Sequence, residues 1–339
     1  MSRLHGARVL VTGGAGFIGS EVVRQLCNNG AHATVLDNFT SGKIQYLEEL
    51  KVRAVKGDVC DKESLSDALR DQEIVFHLAA LPFIPDCYVN PSEFFKVNAM
   101  GTVNVMWEAI QSESVEKFVH VSSSEVYGTA KYPLMNENHP TLPHSTYAAS
   151  KLAADRAVLT LHKEHSFPAV IIRPFNSYGP RVTQPYIVPE IILQLLRGAQ
   201  VYLGNVDSWR DFTYVSDTAR GIILASVVKE AVGETINIGS GKDVKIRDLV
   251  KLIAELMGKA DDVEICYDRS RLRPYDVDRL ICDYSKANKI LGWQPSVPLE
   301  RGLTDTINWM KTNLVDFKEP FRGWPRVMKK NSDVRARPS

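Results

Sequence analysis

A phenol and an ammonium held one helical turn apart can move a proton, and the chain carries such a pair at Tyr147 and Lys151 in the run YAASK. Residues four apart share a helix face. An ammonium beside a phenol lowers the phenol's pKa, which would let Tyr147 act as a base near neutral pH. Such pairs also arise by chance on solvated helices. Here a serine-rich strand end, Val121-Ser122-Ser123-Ser124-Glu125-Val126-Tyr127-Gly128, comes about twenty residues earlier, and a glycine loop stands near the start of the chain. That loop, Thr12-Gly13-Gly14-Ala15-Gly16-Phe17-Ile18-Gly19, comes directly after a β-branched run. Glycines at its strand end, turn and helix start permit a tight turn and close backbone approach. The free N–H groups and dipole of the helix N-terminus then stabilise a pyrophosphate. Turn glycines with no ligand are the alternative.

Asp37 lies eighteen residues beyond Gly19, at the end of the next β-rich run. A carboxylate there can accept hydrogen bonds from the adenine ribose hydroxyls of a dinucleotide and would repel a 2′-phosphate. Its neighbours Asn38, Phe39 and Thr40 include no arginine to hold such a phosphate, so NAD is expected rather than NADP. Gly57-Asp58-Val59, after the third run, either faces the adenine or forms a simple turn.

These groups need a frame that brings strand ends together. The runs ARVLVT, HATVLD, RAVKGD, IVFHLA, KFVHVSS and AVIIRP alternate with segments of helical length, which predicts βαβ units, a doubly wound parallel sheet and an α/β fold. Phe17, Val22, Val23 and Leu26 fall near helical spacing after the glycine loop, and Gly30 supplies a stop. NAMGTVNVMWEAIQS and STYAASKLAADRAVLTLHKEH read as long helices apolar on more than one face, suited to packing on the sheet and on a second subunit. Beyond about residue 180 the pattern becomes mixed. The expected division is a dinucleotide domain over 1–180, rejoined by 212–240, and a smaller α/β substrate lobe from 181–211 and 241–317. A basic tail over 318–339, with seven Lys or Arg against Glu319 and Asp333, is expected to be mobile.

The 339 residues are 44% hydrophobic and 24% charged, ordinary values that exclude a disordered, collagenous or coiled-coil chain. Forty-one Lys plus Arg against 40 Asp plus Glu leave +1, so no overall field draws nucleic acid or an anionic membrane, and neither is an expected partner. Cys27, Cys60, Cys87, Cys266 and Cys282 are scattered, without a C-x-x-C pair or a His cluster at metal spacing. They are read as reduced structural thiols, with no metal. A strand pattern begins within a few residues of Met1 and no apolar run approaches about 18 residues, so a cytoplasmic location is expected.

Taken together, TGGAGFIG, Asp37, His77-Leu78-Ala79-Ala80, Asn98 in VNAMGT, SSSEVYG, YAASK, RPFNSYGPR and WRDFTYVSDTARG give a sequence that resembles the extended short-chain dehydrogenase/reductase family over about residues 8–313. The resemblance is to its nucleotide-sugar epimerases, dehydratases and decarboxylases. It implies a held and recycled NAD lined by Gly13, Gly16, Phe17, Ile18, Gly19, Asp37, Asn38, Asp58, Val59, Leu78, Ala79, Ala80, Asn98, Tyr147 and Lys151. It implies Ser123 as the hydroxyl bridging sugar O4 and Tyr147, with Tyr147 as base and Lys151 as its partner and a ligand of the nicotinamide ribose. For a nucleotide-diphosphate sugar it implies contacts from Ser124, Asn176, Arg210 and Arg279, with segment 185–189 near the base. A diphosphate needs charge-assisted donors, and arginine supplies them in bidentate form. Arg210 also adjoins Asp211, with which it could simply pair. A homodimer through paired helices is implied as well.

Members of this group begin by oxidising the sugar at C4, and they differ in the bonds broken after that oxidation. Glu125 stands two residues after Ser123, where the resembling dehydratases carry a catalytic Glu and simple 4-epimerases usually an uncharged residue. The dTDP-glucose type has Asp between its Thr and Glu, whereas this chain has Ser124, closer to the Thr-Ser-Glu of the GDP-mannose type. UDP-glucuronate decarboxylases also carry Ser-Glu, with an Arg before a Lys/Arg-Pro-Asp turn that aligns with Leu280, Ile281, Cys282 and Asp283 here. Alternatively Glu125 caps the following turn. The expectation is a 4,6-dehydratase of a UDP- or GDP-hexose or N-acetylhexosamine, the alternatives a 4-epimerase of UDP-glucose or UDP-GlcNAc type, a related C5/C6 dehydratase or a decarboxylase. A catalytically idle NAD-binding protein is disfavoured by the intact Ser123, Tyr147 and Lys151.

Overall fold

The computed structural model describes residues 2–313, so the expected basic tail lies outside the described residues. The six apolar runs form strands, with α-helices between all but β2 and β3, in the order β1 (Arg8–Thr12), α1 (Phe17–Asn28), β2 (His32–Asp37), β3 (Arg53–Lys56), α2 (Lys62–Leu69), β4 (Ile74–His77), α3 (Ile84–Cys87), α4 (Pro91–Phe94), α5 (Gly101–Gln111), β5 (Lys117–Val121), α6 (Thr146–His165) and β6 (Ala169–Pro174). A π-helical turn, Phe95–Met100, joins α4 to α5. The chain continues through β7 (Asn176–Tyr178), α7 (Ile187–Arg197), β8 (Gln200–Leu203), β9 (Trp209–Tyr214), α8 (Val215–Val227), β10 (Thr235–Ile238), β11 (Asp243–Lys245), α9 (Ile246–Leu256), β12 (Glu264–Tyr267), β13 (Arg279–Leu280), α10 (Ser285–Leu291) and α11 (Leu299–Thr312).

Seven strands make one parallel sheet in the order β10-β6-β5-β4-β1-β2-β3. Alternation along each strand divides its apolar side chains between two cores. Val9, Val11, Phe76, Val119 and Ile172 belong to one, with Val22, Val23 and Leu26 of α1 and Ile222 of α8. Leu10, Val75, Phe118 and Ile171 belong to the other, with Leu65 of α2, Val105 of α5 and Val158 of α6. Helices therefore cover both faces, and the strand order reverses between β1 and β4. A crevice at the carboxyl ends of the strands is the consequence.

The remaining elements build on β9, which pairs with β7, β11 and β13, while β12 lies parallel to β8. Their apolar core joins Ile191 and Leu195 of α7, Leu249 and Ile253 of α9, and Leu303 and Ile307 of α11. WRDFTY is one continuous strand, so the chain returns to the large sheet with α8 and β10 and not at residue 212. Among the described residues no helix is long and apolar enough to cross a membrane, and the five cysteines are free.

Candidate active site

A cavity of about 420 Å³ runs from the glycine loop, past Ser123, Glu125, Tyr147 and Lys151, to Arg210, Arg273 and Asp276 in the second lobe. At its sheet end the glycines are needed for close approach. Gly13 has φ +69°, and a Cβ there would lie 2.7 Å from the Ala79 nitrogen; one on Gly19 would lie 2.1 Å from the Gly13 carbonyl oxygen. No side chain caps α1, whose first N–H groups come just after Gly16. The Asp37 carboxylate accepts from Ala15 N (3.0 Å) and Phe39 N (2.9 Å), so it also holds the loop. Burial raises its pKa, against the pull of those two bonds. Asp58 is steadied by the Asn38 amide (3.0 Å) and the Cys60 N–H (2.8 Å). Gly16, Phe17, Ile18, Val59, Leu78, Ala79 and Ala80 line the cavity with them. These groups fit a dinucleotide: backbone donors for a pyrophosphate, apolar walls for rings, and a carboxylate for ribose hydroxyls.

Asn98 does not line the cavity. It sits buried in the π-helical turn, its Oδ1 accepting from Leu81 N (2.8 Å) and its Nδ2 donating to Ser150 Oγ (3.0 Å). Its place is behind the wall, tying the segment after β4 to α6.

Ser123 ends the strand extension of β5 and caps the short turn Ser124–Tyr127, its Oγ accepting from Glu125 N at 3.2 Å. The turn is thus capped by Ser123, which leaves the Glu125 side chain to the cavity. Its carboxylate is buried and lies 3.8 Å from Arg273 Nη1. Ser124 is buried in the same wall. Ser145 caps α6 by accepting from Ala148 N at 3.1 Å, and the helix carries Tyr147 and Lys151 into the cavity.

The acid–base pair differs from the sequence expectation. Burial pushes the Tyr147 phenol up to about 12, opposed by hydrogen bonding with Ser123. Burial likewise pulls Lys151 down to about 8. Lys151 Nζ donates to the Val121 carbonyl at 2.7 Å, and desolvation sets the direction of the phenol's shift. Behind it, Asp155 accepts from Arg173 at 2.9 Å and lies 3.4 Å from His120 Nε2, all fully or almost fully buried.

At the far end, Asn176 lines the cavity, as does segment 185–189. Arg210 does not pair with its neighbour Asp211; its Nη2 lies 3.5 Å from Asp276 Oδ1, as does Arg273 Nη1. Asp211 instead accepts from Ser240, Gly241 and Cys282 N–H groups. Arg279 is not brought to the cavity. It points outward, paired with Asp243 at 2.5 Å and set over Trp209. The arginine the structure supplies is Arg273, six residues earlier in RSRLRPYDVDR, with Asp276 beside it. The sequence signal is Arg-Pro: Pro274 keeps Arg273 extended, so that the loop does not coil into a helix. Leu280 and Cys282 are packed in a separate core, so the residues aligned with the decarboxylase turn do not form this wall.

The chain is similar to known proteins over most of its length. The model of the family described as GDP-mannose 4,6 dehydratase matches residues 10–306. A dTDP-glucose 4,6-dehydratase of Streptomyces niveus is 34% identical over 319 residues, covering 90% of this chain and 93% of its own. The dTDP-glucose 4,6-dehydratase of Streptomyces venezuelae, solved with NAD and TYD bound, superposes with a TM-score of 0.84 at 32% identity, covering 92% of this chain and 99% of that one. The UDP-glucose 4-epimerase of Thermotoga maritima, solved with UDP-glucose, also gives 0.84 at 32% identity, covering 91% and 99%. The chain therefore belongs to the nucleotide-sugar epimerase and dehydratase group of the extended short-chain dehydrogenase/reductase family.

Proposed function

We propose that the protein is an NAD-dependent nucleotide-sugar 4,6-dehydratase acting on a UDP- or GDP-hexose or N-acetylhexosamine. The observation that carries this reading is Glu125: a buried carboxylate in the cavity wall, beside Ser123 and free of any turn-capping role. Gly13, Gly16, Gly19, Asp37 and Lys151 would hold NAD, whose nicotinamide would supply reversible two-electron chemistry at the sugar. Arg210, Arg273 and Asn176 bind the diphosphate and hold the sugar ring toward Tyr147. Ser123 orients the O4 hydroxyl, and Tyr147 takes its proton as C4 becomes a carbonyl. The carbonyl acidifies C5–H. Glu125 removes the C5 proton and passes a proton to the C6 oxygen, which leaves as water. Lys151, charged below about pH 8, favours the Tyr147 phenolate that receives that proton.

The second reading, a 4-epimerase, is favoured by one contact: the 3.8 Å approach of Arg273 to Glu125 would make Glu125 an aligner of that arginine. Weighing the products from a panel of nucleotide sugars separates the two. Loss of one water marks dehydration, unchanged mass with inverted C4 marks epimerisation, and loss of carbon dioxide marks decarboxylation. Glu125→Gln is expected to retain NAD binding and C4 oxidation and to lose elimination by about 10²-fold or more; elimination at the wild-type rate removes Glu125 from the reaction. The reading includes a homodimer, supported by exposed Phe95, Met100 and Trp107 along the α4–α5 segment.

A further inference from the structure

Arg273 rides on a strap, residues 269–278, whose only regular structure is the short turn Arg269–Arg271, and Arg210 reaches toward it from β9. Leu272 and Tyr275 are exposed, while Val277 anchors its far end in the apolar core of Val126, Leu280 and Cys282. Polar contacts reach it from both halves of the molecule: from the second lobe Glu190 pairs with Arg271 at 2.6 Å and Trp209 N donates to the Asp278 carbonyl at 2.8 Å, and others come from the catalytic half. Asp278 N donates to Thr129 Oγ1 at 3.0 Å, and His144 meets the strap directly. The His144 ring stacks on Tyr275 with centroids 3.8 Å apart at 14°. Its Nδ1 lies 2.8 Å from the Asp276 carbonyl oxygen; a carbonyl only accepts, so Nδ1 carries the hydrogen.

The imidazole has a second neighbour. Gly128 closes the SSSEVYG segment at φ +70°, and a Cβ there would come within 3.0 Å of His144 Cδ2 and Nε2. His144 is also the residue before Ser145, the cap of the helix that bears Tyr147. On the strap side, the Asp276 carboxylate reaches Arg210 and Arg273 at 3.5 Å each and accepts from Asn205 Nδ2 at 3.1 Å. One ring therefore joins the catalytic segment to the backbone of the residue that aligns both arginines.

We infer that His144 is a positioning residue, fastening the strap so that Arg210 and Arg273 present a diphosphate at a fixed distance from Glu125 and Tyr147. The inference rests on the nucleotide-sugar reading for its ligand, but the fastening itself is tested without one. In the NAD-loaded protein, His144→Ala is expected to speed amide hydrogen exchange about tenfold in residues 269–278 and not in the large sheet. Titrated with UDP and with GDP, the same variant is expected to bind whichever diphosphate the wild type binds about tenfold more weakly, with NAD affinity unchanged. His144→Asn, which keeps a donor near the Nδ1 position, is expected to recover binding to within about threefold. In an Arg273→Gln background the His144→Ala effect is expected to shrink to about threefold or less, because one of the two arginines it positions is gone. Unchanged strap exchange in His144→Ala, or a full tenfold loss added to that of Arg273→Gln, overturns the inference. Should neither UDP nor GDP bind the wild type, the nucleotide-sugar reading fails, and the exchange result alone decides the fastening.

Discussion

Replacing Lys151 by Met removes a buried charge without removing much volume, and its effect on stability should depend on pH in a way few surface lysines could imitate. Burial holds the folded Lys151 pKa at about 8, against an ordinary 10.5. Between those values the unfolded chain binds a proton that the folded protein has released, so folding stability rises with pH by about 1.4 kcal/mol per pH unit. Below pH 8 both states are charged, and the folded state carries the full desolvation cost; above 10.5 both are neutral and the cost is gone. The whole window is worth about 3 kcal/mol. Urea unfolding of wild type and Lys151→Met, side by side from about pH 7 to about pH 10.5, should show the wild type gaining about that much on the variant as pH rises. A gap that stays constant within about 0.5 kcal/mol would mean that Lys151 is not desolvated, and the charge argument for the site would fall with it.

Turnover offers a second view of the same group. Since the ammonium is lost above about pH 8, kcat/KM measured against pH is expected to fall on the alkaline side there, well before Tyr147 titrates at about 12. Gly19→Ala would set a Cβ 2.1 Å from the Gly13 carbonyl; a melting curve and an NAD titration should show about 1–3 kcal/mol of lost stability and NAD binding weakened at least tenfold. Arg273→Gln should raise KM for the nucleotide sugar about tenfold or more, whereas Arg279→Gln, which loses an outward pair with Asp243 and a place over Trp209, should leave KM within about twofold. Equal effects would contradict the placement of the two arginines.

Local chemistry made most of the sheet and its site readable from sequence. The β-branched runs, Gly13, Gly19, Asp37 and the Tyr147–Lys151 spacing each state a backbone or side-chain requirement within a few residues, and β10 rejoins the sheet as its TINIG run implied. Arg279 shows where such local requirements stop. Within RSRLRPYDVDR, Pro274 and Asp276 mark Arg273 but do not fix that it faces inward; Asn205 and Arg210, from separate parts of the chain, complete the set around Asp276. The phenol's pKa is hidden from the sequence for a related reason. The i, i+4 spacing does bring both side chains to the cavity, but the Val121 carbonyl that accepts from Lys151 belongs to β5, thirty residues away.

The same distance in sequence explains the charges behind Lys151. Asp155 comes one helical turn later and draws its pKa back up, yet Asp155 is shared with Arg173 of β6. A single carboxylate thus faces two cations, and burial keeps neighbouring His120 neutral, with its pKa at about 4. The His77 ring stacks on it, hydrogen-bonded to Thr12 and Thr102. Neutral imidazoles fill the space without adding a third positive charge. The surplus cation is left on the cavity side, at Lys151, where a phenolate at Tyr147 would complete its pairing. In this arrangement the phenolate that takes a proton from a sugar hydroxyl is stabilised by a charge that the folded protein could not otherwise keep buried at neutral pH without cost.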